Sequence, residues 1–158
     1  MKTHETFSSD DCFVCGKNNP IGLKLCYKNM GDGFIESEFT PHKDLNGFSG
    51  VLHGGIISSV LDDAMDWALY IGTGKWYVTV KMTVDFKKSG TVEKPLKIKA
   101  WTVDKDGEPC LLGNTKKICR ILYAKAELLN EQNELIASSE GKFFQLPDDK
   151  AGILINQR

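Results

Sequence analysis

Two segments near the start of the chain alternate apolar and polar residues: LKLCYK (23–28) and GFIESEFT (33–40), with NMGDG between them. Alternation with period two marks a half-buried strand, and a Gly-containing interval between two such runs predicts a hairpin. The period then changes. From Gly55 to about Ile71 the apolar residues stand at 56, 57, 60, 61, 64, 65, 68 and 69, the spacing of a broad helical face. Ser59, Asp62, Asp63 and Asp66 gather on the opposite side, and GTG at 72–74 predicts the end of the helix. Period two returns in VTVKMTVDF, apolar at 78, 80, 82, 84 and 86. It recurs in LKIKAWTVD (96–104), ICRILYAKAELLN (118–130) and LIASSEGKFF (135–144), the last two joined through NEQNE. PHKDLNGFSG (41–50) reads as a loop, and the first twenty residues as an irregular arm. Two strands, one long helix and four strands predict an α+β fold, with an antiparallel sheet of about six strands wrapped around one central helix.

Composition narrows the setting. At 158 residues, 1–158 reads as a single domain with a core of its own. A net charge of -1 gives no general attraction to nucleic acid or anionic membrane. No apolar run reaches the roughly 18 residues of a membrane span, and MKTHETFSSDDC has no apolar core of a signal peptide. The expected location is therefore cytoplasmic, with reduced thiols. Five cysteines, an odd number, also speak against a disulfide framework.

Candidate chemistry concentrates in GVLHGGIISSVLDDAM (50–65). The first turn of a helix presents unpaired backbone N–H groups and the positive end of its dipole. Glycine lets a ligand oxygen approach closely, so the amides of Gly54 and Gly55 are candidates to polarise a carbonyl. Asp62 lies about two turns further on. It reaches the same substrate only if that substrate extends along the helix or a neighbouring subunit closes the space. One carboxylate with a few amides suits a thioester, whose thiol leaves with a pKa near 8.5 and needs no strong general acid. The sequence has no Gly-x-Ser-x-Gly, P-loop or His-Glu-x-x-His motif.

GVLHGG followed by LDDAM resembles the hotdog-fold acyl-CoA thioesterases of the phenylacetate-pathway and 4-hydroxybenzoyl-CoA type. The resemblance implies that His-Gly-Gly opens the central helix and that the acid nine residues after the His, here Asp62, is catalytic as general base or nucleophile. VTVKMTVDFKKSG resembles the following strand of that family, in which a Ser or Thr often assists from the partner subunit; the matching position is Thr79. Many members carry a substrate-orienting Asn in the loop before the His. The matching position here is Gly47, and the Asn stands one residue earlier, at Asn46. Where others have Ser or Thr one turn after the catalytic acid, this chain has Asp66. The implied activity is hydrolysis of an acyl-CoA, with coenzyme A as part of the substrate and no separate cofactor. The implied assembly is a homodimer or homotetramer with its site between subunits. Pairing of sheet edges gives a physical reason for such association.

Other readings compete at several positions. A module that binds acyl-CoA or a fatty-acyl ligand without turnover would keep the same features. His53 is a candidate general base or substrate-binding residue, or a brace for its loop, and Asp63 is read as structural or solvated. Met65, Trp67 and Trp76 could line an apolar pocket. Lys87 and Lys88, within a cluster that includes Lys94, Lys97 and Lys99, are candidates to meet the phosphates of coenzyme A or form a solvated edge. Cys12 and Cys15 form a CxxC, for which Cys26 and His4 or His42 are the other conceivable ligands. Their spacing fits no familiar zinc set, so no metal is expected.

Overall fold

The computed structural model describes residues 6–109 and 120–147. In chain order the strands and long helix are β1 (Thr6–Phe7), β2 (Tyr27–Gly31), β3 (Phe34–Phe39), β4 (Asn46–Phe48), β5 (Val51–Leu52), α1 (Gly54–Thr73), β6 (Tyr77–Phe86), β7 (Leu96–Val103), β8 (Ile121–Leu129) and β9 (Leu135–Gln145). Seven strands form one antiparallel sheet in the order β1-β2-β3-β7-β8-β9-β6. The helix packs on its inner face, against β6, β7, β8 and β9. The predicted α+β architecture is thus observed, with seven strands where about six were expected. The additional strand is β1, two residues of the arm paired with Tyr27 and Lys28.

The helix forms where the 3.6-residue pattern places it. Ile57, Val60, Leu61, Ala64, Met65, Ala68 and Leu69 are buried, and Trp67 and Ile71 join them. Each large side chain buried this way contributes about 1.5–3 kcal/mol. Small residues Ala100, Ala124 and Ala126 face it from β7 and β8, allowing close approach. Gly74, in the left-handed conformation (φ 70°), ends the helix with its N–H on the Tyr70 carbonyl at 2.7 Å. Met65 and Trp67 therefore belong to the core rather than to a pocket lining, while Trp76 stacks on Tyr70 with centroids 4.2 Å apart.

Three local expectations change. β2 begins at Tyr27 rather than Leu23. Lys24 turns to φ 62°, and residues 23–25 bond instead to the arm, Leu23 N–H to Phe13 O and Leu25 N–H to Val14 O. The segment 41–50 is a short 3-10 turn (Lys43–Leu45) leading into β4, which pairs with β5. In β6 the strict alternation is broken by a bulge between Thr79 and Lys81. One extra residue reverses which side chains face inward. Tyr77 is buried before the bulge and Met82 and Val84 are half-buried after it, while Val78 and Val80 turn outward, 40% and 59% exposed. The first residues of the run 118–130 lie outside the described residues; its strand begins at Ile121. Among the described residues no helix is long and apolar enough to cross a membrane.

Candidate active site

His53 precedes α1 with extended backbone (φ -63°, ψ 134°) and caps it: its Nδ1 accepts a hydrogen bond from the Gly55 N–H at 2.8 Å. A Cβ on Gly55 would stand 3.0 Å from that nitrogen, so the tight cap favours glycine. The two glycine amides are not equivalent. The Gly55 amide is engaged by the cap, whereas the Gly54 N–H has no partner among the described residues. His53 is a brace here. The loop that carries it is tied down by Leu52 N–H on Gly90 O (2.9 Å) and His53 N–H on Leu45 O (2.9 Å).

An open groove of about 510 Å³ begins at this helix start and is lined by Phe48, His53, Gly54, Phe86, Lys87 and Lys88, among others. Two parts of the predicted constellation, the helix start and the Lys87–Lys88 pair, are therefore brought together. Lys88 is already paired with Glu134, whereas Lys87 has only a 3.9 Å contact with Asp85. Lys97 and Lys99 pair across the ladder with Glu38 and Glu36. Much of the lysine cluster is thus locally neutralised by acids that lie far off in sequence. Asn46 is exposed in β4 and is not part of the groove lining.

Asp62 and Thr79 form the second part of the constellation. The Thr79 hydroxyl donates to Asp62 Oδ1 at 2.7 Å, within one chain rather than from a partner. Burial raises the Asp62 carboxyl above the ordinary Asp range, and the Thr79 hydrogen bond partly offsets this. This pair is not part of the groove lining. Eight residues of helix separate Asp62 from Gly54, about 12 Å along the axis.

Asp63 is neither solvated nor idle. Its Oδ1 accepts from the thiols of Cys12 (3.3 Å) and Cys15 (3.5 Å). The Trp67 indole N–H donates to Cys15 Sγ (3.3 Å), and the Val14 and Cys15 amides donate to Cys12 Sγ (3.2 and 3.5 Å). The hydrogen bond from Cys15 brings the Cys12 thiol down to about 5, while burial and then the nearby Cys12 charge push Asp63 up to about 8. Asp66 is also raised, by burial first and then by Asp62 and Asp63. Tyr27 is fully buried with its hydroxyl against the Asp63 carboxyl, whose ionised form it favours, while Asp66 Oδ1 is buried with no hydrogen-bond partner. Sequence reasoning missed this cluster. The CxxC is visible in the sequence and a structural hydrogen bond is one of the readings of Asp63, but the 48 residues between Cys15 and Asp63 hide that the two belong together.

Residues 49–106 match the family model described as Thioesterase superfamily. A search of curated proteins gives no match. Among solved structures, a thioesterase superfamily protein superposes with a TM-score of 0.72 at 21% identity, over 85% of this chain. The chain spans only 60% of that protein's length. The Escherichia coli PaaI protein from the phenylacetic acid degradation operon gives 0.65 at 20% identity, over 79% of this chain and 81% of its own. Streptococcus mutans smu.793, solved bound to acetyl CoA, gives 0.63 at 15% identity, over 77% of this chain and 88% of its own. Together with the seven-stranded sheet around α1, these establish a hotdog fold and bear out the resemblance read from GVLHGG and LDDAM.

Proposed function

We propose that this hotdog chain hydrolyses an acyl-CoA thioester. The observation that carries the reading is Asp62, half-buried on the central helix with its carboxylate held by Thr79. Ionised, it takes a proton from water or attacks the thioester carbonyl itself. The carbonyl oxygen accepts from the Gly54 N–H, and the thiolate departs unaided. Lys87, in the lining of the same groove, meets a phosphate of coenzyme A. The match to a thioesterase family model and a neighbour bound to acetyl CoA support this substrate class.

The 12 Å between Gly54 and Asp62 in one chain is too long for both to act on one carbonyl. The site is therefore completed by a second copy, with Gly54 of one chain facing Asp62 of the other. β6 offers the seam: it is the edge of the sheet, with Val78, Val80 and Phe86 exposed. A panel of acyl-CoA thioesters with a thiol-detecting dye tests the activity. Saturable acyl-CoA binding with no thiol release across the panel would instead identify a binding module. Mixing chains tests the shared site. Gly54→Pro removes the N–H at a position that tolerates proline, and Asp62→Asn removes the carboxylate. Each variant alone is inactive, and the mixture recovers about a quarter of wild-type activity through statistical pairing. No recovery after subunit exchange would place the whole site within one chain.

A further inference from the structure

We propose that Cys12, Cys15 and Asp63 form a zinc site that fastens the N-terminal arm to the central helix. This conclusion departs from the sequence expectation of no metal, and it does not rest on the proposed hydrolysis. One ligand atom from each residue lies within 4.8 Å of the others. Zn–S bonds of about 2.3 Å and Zn–O bonds of about 2.0–2.2 Å place tetrahedral ligand atoms about 3.6–3.8 Å apart. The observed separations from Asp63 Oδ1, 3.3 Å to Cys12 Sγ and 3.5 Å to Cys15 Sγ, need only a few tenths of an ångström of expansion to admit the ion.

Both sulfurs are met by hydrogen-bond donors. The arm turns tightly through Cys12–Gly16, with Gly16 N–H on Cys12 O at 2.9 Å. The turn aims the amides of Val14 and Cys15 at Cys12 Sγ, while the Trp67 indole supports Cys15 Sγ. Such donors orient metal-bound thiolates and moderate their charge. A Cβ at position 16 would stand 2.2 Å from Cys12 O, so only glycine closes the turn. Two sulfurs and a carboxylate suit Zn²⁺ better than a hard cation such as Ca²⁺ or Mg²⁺. No cationic side chain competes for this position. Asp63 bonds to both thiols, Asp66 follows it on the same helix, and among the described residues no Lys, Arg or His pairs with either acid. Asp66 Oδ1, buried beside the cluster, has no hydrogen-bond partner. Native proteins rarely leave such groups without a partner. The fourth position falls to water. On binding, any remaining thiol protons leave to solvent.

The experiment uses the full chain, purified without a histidine tag, reduced with a phosphine, stripped with a chelator and titrated with Co²⁺ and then Zn²⁺. One equivalent of Co²⁺ per chain is expected to give a thiolate-to-cobalt charge-transfer band and the visible bands of four-coordinate cobalt, both abolished by one equivalent of Zn²⁺. Asp63→Asn retains charge transfer but alters the visible bands and weakens Zn²⁺ binding at least about tenfold. Cys12→Ser with Cys15→Ser abolishes the signal. Absence of a charge-transfer band in the reduced wild-type protein overturns the proposal, and needs no variant to fold. Visible bands and Zn²⁺ affinity unchanged in Asp63→Asn would overturn the role of the helix in the site.

Discussion

Asp62 and Asp63 are neighbours in the chain, and one helical step of about 100° sends their carboxylates to different partners. Asp62 reaches Thr79 on β6, and Asp63 reaches the cysteines of the arm. Asp62→Asn is expected to lower kcat/KM by about 10²- to 10⁴-fold, the usual cost of losing a general base, with an unchanged circular dichroism spectrum. Asp63→Asn should leave kcat within a few-fold; if it instead carries the loss, the carboxylate roles are exchanged. The pH profile gives a second check. Burial raises the Asp62 carboxyl, and activity requires its ionised form, so kcat/KM should rise with pH along an acid limb above the ordinary Asp value of about 3.9. Thr79→Val removes a hydrogen bond that favours ionisation, which moves that limb to higher pH. A limb that stays in place or moves down contradicts the role of Thr79. The place of Asp62 on the helix was legible from spacing, whereas the role proposed for it comes from the family resemblance. The partners of Asp63 were not legible, because a helical pattern says which face a residue occupies and nothing about which distant segment covers it.

At the scale of elements, α1 was the most legible part of the chain, since its apolar stripe and terminal glycine are local features. Its start was legible only in part. The His-Gly-Gly triplet signalled a helix N-terminus, but the sequence did not disclose that His53 would consume the Gly55 amide as a cap. His53→Ala should lower stability by about 0.5–2 kcal/mol, the range for losing an N-cap, seen as a reduced melting temperature. An unchanged melting temperature would mean that water replaces the cap at no cost. The bulge in β6 was hidden as well, because an unbroken apolar-polar alternation gives no sign of one extra residue. In the loop after β6, Lys87→Glu should raise KM several-fold with little change in kcat, since a phosphate contact far from the carbonyl stabilises bound substrate and transition state alike. Added salt should shrink the effect. Lys88→Glu should do less, because Glu134 already engages Lys88. Equal effects from the two changes would argue for general charge attraction rather than a phosphate contact at Lys87.

For the whole molecule, the alternation of periods two and 3.6 was enough to anticipate a sheet around one helix, while the pairing order β3-β7-β8-β9-β6 was beyond it. Long-range pairing depends on register and packing that no single segment records. The exposed apolar side chains of β6 became apparent only once that strand was known to lie at the edge. Light scattering on a sizing column should give a mass of at least two chains at micromolar concentration. Val80→Lys, at a side chain 59% exposed on that edge, should shift the mass toward one chain without altering the fold. A single-chain mass for the wild-type protein would refute the shared site. The position of β6 has a kinetic consequence too. An enzyme assembled along a sheet edge does not have a fixed specific activity. On serial dilution, rate per milligram should stay level and then fall as the copies separate, with a lag on reconcentration set by their re-encounter, so that abundance itself governs turnover.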